Sequence, residues 1–300
     1  MSLDFTGKTV IVTGSGGGLG RCHALEFARR GANVVVNDLG GSVDGSGGSS
    51  EAAEAVVKTI TDNGGKAIAN GSSVTDDAGV VNMVQEALSA FGSIDVLVNN
   101  AGILRDKSFS NMSTEEFQTV VDVHLMGTAK ATLAVFPIMK EQGHGRIMVT
   151  TSSSGLYGNF GQSNYGAGKL GVVGMMNTLK IEGAKYDIRI NALAPVAWTR
   201  MTEDLMPPEA EALLTPESVT PAVIFMCSED APSGQIICAG AGVFAAAQII
   251  ESDGMLLGLD ASAEDVAANW EKISDMTNAK PLYQGLEQSQ KFFAKHGLDR

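Results

Sequence analysis

Cysteine is scarce in this chain of 300 residues, and the three that occur, Cys22, Cys227 and Cys238, form no C-x-x-C pair. Three scattered cysteines support neither a disulfide framework nor a zinc site. We therefore interpret them as small buried apolar side chains and predict no metal site.

Basic residues are also few. Lysine and arginine together number 21 against 34 aspartates and glutamates, which gives a net charge of −13. A surface for nucleic acid or for an anionic membrane needs clustered positive charge, so neither partner is expected. Any anionic ligand must meet its positive charge locally.

Long apolar runs are missing as well. No stretch approaches the length that spans a membrane, and the first strand-like run starts within ten residues, which leaves no space for a signal peptide. The final residues, HGLDR, are not a peroxisomal S-K-L address. A cytoplasmic location is the expectation from these features.

Short apolar runs typical of buried strands alternate with helical patterns along most of the chain. This alternation predicts an α/β fold, a doubly wound and mostly parallel sheet of the Rossmann type with helices on both faces. We expect one main domain over residues 1–245 and a C-terminal extension over residues 246–300. The strand-like runs are TVIVTG, NVVVND, KAIANG, IDVLVNNAG, RIMVTTS and IRINALAP.

Tyr165 and Lys169 stand four residues apart at the start of a helical run, so they share one face of that helix. A nearby ammonium favours the phenolate, so we expect a lowered pKa for Tyr165 and a role as general acid or base. Ser152, thirteen residues upstream, ends a strand-like run, and its hydroxyl can hold a substrate oxygen. A half-buried tyrosine with an ordinary hydrogen-bond partner is the alternative.

A glycine-rich turn follows the first strand and opens a helix, the setting that receives a pyrophosphate at a helix N-terminus. Gly14 can form the tight turn, Gly18 allows close approach of the backbone to the pyrophosphate, and Gly20 allows the helix to pack closely on the strand. Asp38 ends the second strand, where its carboxylate would bind the adenosine ribose and repel a 2′-phosphate. NAD is therefore preferred over NADP.

Together these residues resemble the short-chain dehydrogenase/reductase family over about residues 1–245. The motifs that match, in the expected order, are T-G-x-x-x-G-x-G from Thr13, N-N-A-G from Asn99, and a serine thirteen residues before Y-x-x-x-K. The resemblance implies an NAD-dependent oxidoreductase acting on CH–OH, with Ser152, Tyr165 and Lys169 as catalytic residues. The cofactor contacts that it implies are Gly14, Gly18, Leu19, Gly20, Asp38, Ser73, Val74, Asn99, Ala101, Gly102, Tyr165, Lys169, Pro195, Val196 and Thr199.

Three positions depart from the common family pattern. His124 stands where the family has the asparagine of its catalytic tetrad. A histidine can hold the same relay water through a ring nitrogen, or it can be a hydrogen-bonded core residue. Ser73 and Val74 occupy the place where many relatives have Asp-Val, so the contact of that aspartate with the adenine is in doubt. The glycine that usually follows Pro195 is also missing.

Several stretches are similar to one branch of the family, the (3R)-hydroxyacyl-CoA dehydrogenase part of the peroxisomal type 2 multifunctional enzyme, also called 17β-hydroxysteroid dehydrogenase type 4. They are NNAGILRDKSF, GLYGNFGQSNYGAGK and NALAPVAWTRMTEDLMP. The resemblance implies reversible oxidation of a (3R)-3-hydroxyacyl-CoA to the 3-ketoacyl-CoA. A hydroxysteroid or other secondary-alcohol dehydrogenase is the alternative, and a non-catalytic NAD(H)-binding module is a third.

Segments outside the motifs carry further expectations. GGSVDGSGGSS has the composition of a flexible loop, and residues 198–208 are predicted to form a substrate lid. Arg105, Lys107 and Arg200 are candidates to meet the phosphates of a CoA thioester. The run SAEDVAANWEKISDM predicts an amphipathic helix that packs on the body or on another subunit, and a homodimer is favoured.

Overall fold

The computed structural model describes residues 3–199 and 208–298. Arg200 and most of the predicted lid lie outside these residues. The chain divides into two compact units, Met1–Ala246 and Ala247–Arg300, and each is described by itself below.

The larger unit is built on an eight-stranded sheet with strand order β3-β2-β1-β4-β5-β6-β7-β8. Every pairing from β3 through β7 is parallel. The order reverses between β1 and β4, and ligands bind at such a switch point in open α/β sheets. The strands are β1 Thr9–Thr13, β2 Asn33–Asn37, β3 Lys66–Asn70, β4 Val96–Asn99, β5 Gly145–Thr150, β6 Ile188–Pro195, β7 Ile236–Gly240 and β8 Val243–Ala247.

Helices cover both faces of this sheet because its central strands are apolar on both sides. Helices α1, α2 and α8 share one core with alternate strand residues such as Val10 and Val12. Helices α3, α5 and α7 pack on the opposite face. The helices are α1 Gly18–Arg29, α2 Glu51–Asp62, α3 Asp77–Phe91, α4 Thr114–Val121, α5 Gly127–Gln142, α6 Ser153–Tyr157, α7 Ser163–Gly183 and α8 Thr220–Met226.

Two parts of this unit differ from the sequence expectation. The sheet has two strands more than the six runs predicted, β7 and β8. The second of them lies beside β7 because Ala241 and Gly242, with φ of 50° and 71°, form a tight turn between the two strands. The single long helix expected after the fourth strand is interrupted by a π-helical turn, Asp122–Met126, between α4 and α5. That turn contains His124, and such turns occur frequently at functional sites.

The second unit is small and has little buried surface of its own. Strands β9, Ile250–Glu251, and β10, Lys280–Pro281, pair antiparallel. The single amphipathic helix expected here is divided at Asn269, whose φ of −111° and ψ of 12° are not helical. The lid or oligomer role of this unit stays a prediction. Its helices are α9 Ala263–Ala268, α10 Trp270–Ile273 and α11 Gly285–Lys295.

Within the described part of the chain, no helix combines the length and the apolar character that crossing a membrane requires.

Candidate active site

A cleft of about 740 Å³ opens at the carboxyl ends of the parallel strands, around the switch point between β1 and β4. The turns that follow β1, β2, β4, β5 and β6 all contribute to its wall. The cleft brings most of the predicted site residues together. Those that line it are Gly14, Gly18, Leu19, Asp38, Ser73, Val74, Ala101, Gly102, His124, Ser152, Tyr165, Lys169, Pro195, Val196 and Thr199.

The glycine-rich turn has a backbone that few other residues could adopt. Gly14 and Gly18 have φ of 63° and 49°, in the left-handed region that favours glycine. A Cβ at Gly20 would lie 2.2 Å from the carbonyl oxygen of Gly14. Gly20 does not line the cleft, so its absent side chain serves the close packing of α1 against the turn.

Asp38 is held at the edge of the cleft by two backbone amides. Its Oδ2 accepts a hydrogen bond from Gly16 N, and its Oδ1 accepts one from Gly40 N, each at 2.7 Å. Lys169 is the one lysine or arginine among the described residues that line the cleft. The Asp38 end of the cleft therefore presents negative charge with no described cation beside it.

The two asparagines of the N-N-A-G motif have different surroundings. The Asn100 side chain donates to the carbonyl oxygens of Thr13 and Gly14, at 3.0 and 2.9 Å, and ties the turn after β4 to the turn after β1. The side chain of Asn99, predicted to contact the cofactor, has a protein partner instead. Asn99 is buried, donates to Thr132 Oγ1 at 3.3 Å and does not line the cleft, because adjacent residues at a strand end face opposite sides.

Ser152 and Tyr165 meet at the floor of the cleft. Ser152 caps α6, and its Oγ accepts a hydrogen bond from Ser154 N at 3.2 Å. Its hydroxyl also lies near enough to the phenol of Tyr165 to lower the pKa of that group. Burial raises the pKa of Tyr165 to about 12; the nearby hydroxyl of Ser152 opposes this shift, and the charge of Asp106 adds to it. The phenol is therefore neutral at pH 7.

The expectation that Lys169 lowers the pKa of Tyr165 is wrong for this structure, because burial of the phenol raises that pKa and Lys169 is not among the groups that shift it. Lys169 Nζ donates to the carbonyl oxygen of Thr150 at 2.6 Å and lies 5.5 Å from the centroid of the Tyr165 ring. Burial also lowers the pKa of Lys169 to about 7, so its own positive charge is weakly held at this depth. Thr150 takes one of the three donors that a lysine ammonium offers.

His124 lies against the phenol. The two rings meet edge to face, with centroids 4.9 Å apart at 85°. His124 Nε2 is 2.8 Å from the carbonyl oxygen of Ile103 and 3.2 Å from Ile103 N. A Cβ at Gly102 would lie 2.4 Å from His124 Cε1, so this glycine makes room for the ring. Burial, helped by the charge of Lys169, lowers the pKa of His124 well below its usual value, and the ring is neutral.

Two buried polar atoms of the described site residues lack a hydrogen-bond partner, His124 Nδ1 and Thr150 Oγ1. Both residues line the cleft. Leaving such atoms unpaired costs about 1–3 kcal/mol each, so they fit a bound water or a polar group of a ligand. Together with the glycine turn and the carboxylate of Asp38, they make a cleft that suits a dinucleotide at one end and an alcohol at the other.

The glycine-rich segment GGSVDGSGGSS is more than the linker that its composition suggests. Val43 O accepts a hydrogen bond from Leu104 N at 3.0 Å, and Asp44 O accepts one from Arg105 Nε at 3.0 Å. The segment thereby joins the wall of the cleft through Gly41, Ser42, Val43 and Gly45.

Sequence reasoning missed a polar group on the cleft wall near Ser152. Ser154, Asn159 and Gln162 line the cleft, and the side chains of Ser154 and Asn159 both donate to Gln162 Oε1. The one available signal was position, since Gln162 stands three residues before Tyr165, on the turn that begins α7.

Comparison with known proteins agrees with this geometry. Residues 8–210 match the family model described as short chain dehydrogenase. The chain belongs to this family. As a short-chain dehydrogenase it is an oxidoreductase that acts on CH–OH groups with NAD or NADP.

Three short-chain dehydrogenase relatives illustrate the similarity. A short-chain type dehydrogenase/reductase of Mycobacterium tuberculosis is 49% identical over 91% of this chain and 96% of its own length. Peroxisomal multifunctional enzyme type 2 of Mus musculus is 48% identical over 92% of this chain but only 38% of its own length. The solved structure of the full-length type 2 enzyme from Drosophila melanogaster matches with a TM-score of 0.83 and 37% identity, over 99% of this chain and 51% of that one. The chain thus spans about a third to a half of these two multifunctional enzymes.

Proposed function

We propose that this dehydrogenase oxidises a (3R)-3-hydroxyacyl-CoA to the 3-ketoacyl-CoA, reversibly, with NAD as hydride acceptor. The observation that carries the chemistry is that Ser152, Tyr165 and Lys169 line the same cleft, with Lys169 Nζ 5.5 Å from the centroid of the Tyr165 ring. The substrate class is supported by the 48% identity with the mouse multifunctional enzyme over 92% of this chain.

The residues present would hold the cofactor along the cleft. The turn at Gly14 and Gly18 would receive the pyrophosphate, and Asp38 the adenosine ribose. Lys169, with two ammonium donors beyond its bond to Thr150, would hold the nicotinamide ribose. When bound, NAD supplies the hydride chemistry. The remaining contacts would come from Leu19, Ser73, Val74, Ala101, Gly102, Pro195, Val196 and Thr199.

The proton chemistry belongs to the protein. Ser152 holds the substrate oxygen, and Tyr165 takes the hydroxyl proton during oxidation or returns it during reduction. Because burial keeps the phenol neutral at pH 7, Tyr165 is ready to donate in the direction of reduction. Oxidation requires that the phenol first lose its proton, which higher pH favours.

We propose that His124 accepts a hydrogen bond from a relay water at Nδ1. Its Nε2 would then carry the ring proton and donate to Ile103 O, at 2.8 Å, instead of accepting from Ile103 N, at 3.2 Å. This tautomer leaves Nδ1 as an acceptor in the cleft wall, where it has no protein partner.

Two substitutions of His124 are expected to distinguish its hydrogen bond to the relay water from its contribution to packing. His124→Asn keeps a polar group, so it should retain most of the activity, whereas His124→Phe should lower kcat about tenfold because the water loses its partner. Steady-state kcat and the Kd for NADH are the measurements. His23→Asn is a matched control, because His23 is buried outside the cleft and bonds to Thr220. Equal kcat in His124→Asn and His124→Phe would contradict the relay role.

Recognition of a CoA thioester needs cations at the mouth of the cleft. Lys107 forms an ion pair with Glu116, and the Nε of Arg105 donates to the backbone of Asp44. Neither of these two side chains lines the cleft, and Arg200 lies outside the described residues. Arg105 and Lys107 would therefore meet the CoA phosphates outside the cleft.

The test of the proposed function is a comparison of three substrates with NAD⁺: a (3R)-hydroxyacyl-CoA, its (3S) epimer and a free 17β-hydroxysteroid. The (3R) thioester should have a kcat/KM higher by about 100-fold, because binding of the remote CoA helps to position the reacting carbon. Preference for the steroid would favour the alternative, a hydroxysteroid dehydrogenase. Binding of NADH without turnover of any alcohol would favour a non-catalytic module.

A further inference from the structure

Gln162 is a buried amide in the cleft wall that the chemistry above does not use. It precedes α7 by one residue, and only 6% of it is exposed. A buried amide must satisfy both of its ends, so its partners decide what it presents to the cleft.

The partners of Gln162 surround both ends of its amide. Nε2 donates to Asp106 Oδ2 at 2.6 Å. Oε1 accepts from Ser154 Oγ at 2.7 Å and from Asn159 Nδ2 at 3.1 Å.

These contacts fix the orientation of the amide. An ionised carboxylate only accepts hydrogen bonds, so the nitrogen of Gln162 must face Asp106. The oxygen has two lone pairs, and Ser154 and Asn159 take both. The nitrogen has two hydrogens, and Asp106 takes one. The second N–H is therefore what Gln162 can offer to a ligand, and it is a donor.

The amide that carries this donor is linked to the reacting groups on both sides. Ser154 bonds to Gln162 through its hydroxyl and to Ser152 Oγ through its backbone N–H, so one residue links the amide to the catalytic serine. Asp106, on the other side of the amide, is near enough to Tyr165 for its charge to act on the phenol.

We propose that Gln162 is a substrate-positioning residue, which donates its second N–H to the thioester carbonyl oxygen of a 3-hydroxyacyl substrate while Ser152 and Tyr165 hold the oxygen on C3. The proposal rests on the function proposed above. A 3-hydroxyacyl thioester has oxygens on both C1 and C3, whereas a simple secondary alcohol has one. A site built to donate to the second oxygen discriminates against substrates that lack it.

The test compares two substrates that differ at one group, (3R)-hydroxybutyryl-CoA and its thioether analogue, in which CH₂ replaces the thioester carbonyl. Gln162→Met should lower kcat/KM for the thioester about tenfold, the effect of a lost hydrogen bond with a group left unpaired, and should leave that for the thioether unchanged. Gln118→Met is the matched control, because Gln118 also donates to a carboxylate, Asp122 Oδ1 at 2.7 Å, but is exposed and does not line the cleft.

Equal losses for the two substrates in Gln162→Met would show a structural role only, and no loss would show no role; either result overturns the proposal. If Gln162→Met does not fold, Asp106→Asn provides the test. Position 106 is exposed and tolerates the change, but the asparagine side chain no longer forces the nitrogen of the Gln162 amide to face it. An unchanged thioester-to-thioether ratio in Asp106→Asn would then overturn the proposal. Failure of the proposed function is distinct, because the wild-type enzyme would then not oxidise the thioester at all.

Discussion

Tyr165→Phe is expected to lower kcat for alcohol oxidation by about 100- to 10,000-fold, the contribution typical of a general acid or base. The substitution removes the phenol that exchanges a proton with the substrate and leaves the ring against His124. Ser152 and Lys169 keep their other partners, Ser154 N and Thr150 O, so NADH binding should be retained.

The dependence of the rate on pH identifies the group. With the pKa of Tyr165 near 12, the phenol is protonated across the neutral range, and only its ionised form can take the proton of the alcohol. Oxidation should therefore accelerate as the pH rises, by up to about tenfold per pH unit below the pKa, while reduction should slow only as the pH approaches it. In Tyr165→Phe the rise of oxidation with pH should disappear.

The measurements are kcat in both directions between pH 6 and pH 10 and the Kd for NADH. Tyr186→Phe is a suitable control, because Tyr186 lies beside Lys140 and Lys185, outside the cleft. Near-normal kcat in Tyr165→Phe would reject the mechanism, and loss of NADH binding would show that the ring also supports the cofactor pocket.

The parallel core of the fold could be predicted because each central strand is a short apolar run bounded by turn residues. Strand β8 could not be predicted, since it is an exposed run, VFAAA, whose place in the sheet depends on the turn at Ala241 and Gly242. The π-helical turn was also invisible, because one extra residue in a helical turn leaves no mark in the apolar pattern around His124.

The site was predictable where short spacings determine it, as for Tyr165 and Lys169 on one face of α7. The pKa of Tyr165 was not predictable, because its high value depends on burial by distant parts of the chain. Likewise, the motif alone could not show which asparagine faces Thr132 and which ties two turns together. The Asp106–Gln162 contact joins residues 56 positions apart, and no local pattern signals it.

A large difference in kcat/KM is also expected between NAD⁺ and NADP⁺. The wild-type enzyme should use NAD⁺ with a kcat/KM about 100-fold or more above that for NADP⁺, because a 2′-phosphate would meet the carboxylate of Asp38 in a partly desolvated site, where like charges repel by several kcal/mol. The carboxylate cannot easily turn aside, since Gly16 N and Gly40 N each hold one of its oxygens at 2.7 Å. Among the described residues that line the cleft, no cation at this end compensates the phosphate.

Asp38→Asn should reduce the preference for NAD⁺ about tenfold, because it removes the charge and keeps the size of the side chain. The measurement is the ratio of the kcat/KM values for the two cofactors. Thermal unfolding of the variant shows whether the loss of the hydrogen bonds to Gly16 N and Gly40 N also destabilises the turns. Asp62→Asn, at an exposed carboxylate paired with Lys58 on α2, should leave the ratio unchanged. Equal kcat/KM values of the wild-type enzyme with both cofactors would contradict the assignment. Asp38 would then hold the turns at Gly16 and Gly40 together by hydrogen bonds and would not select the cofactor.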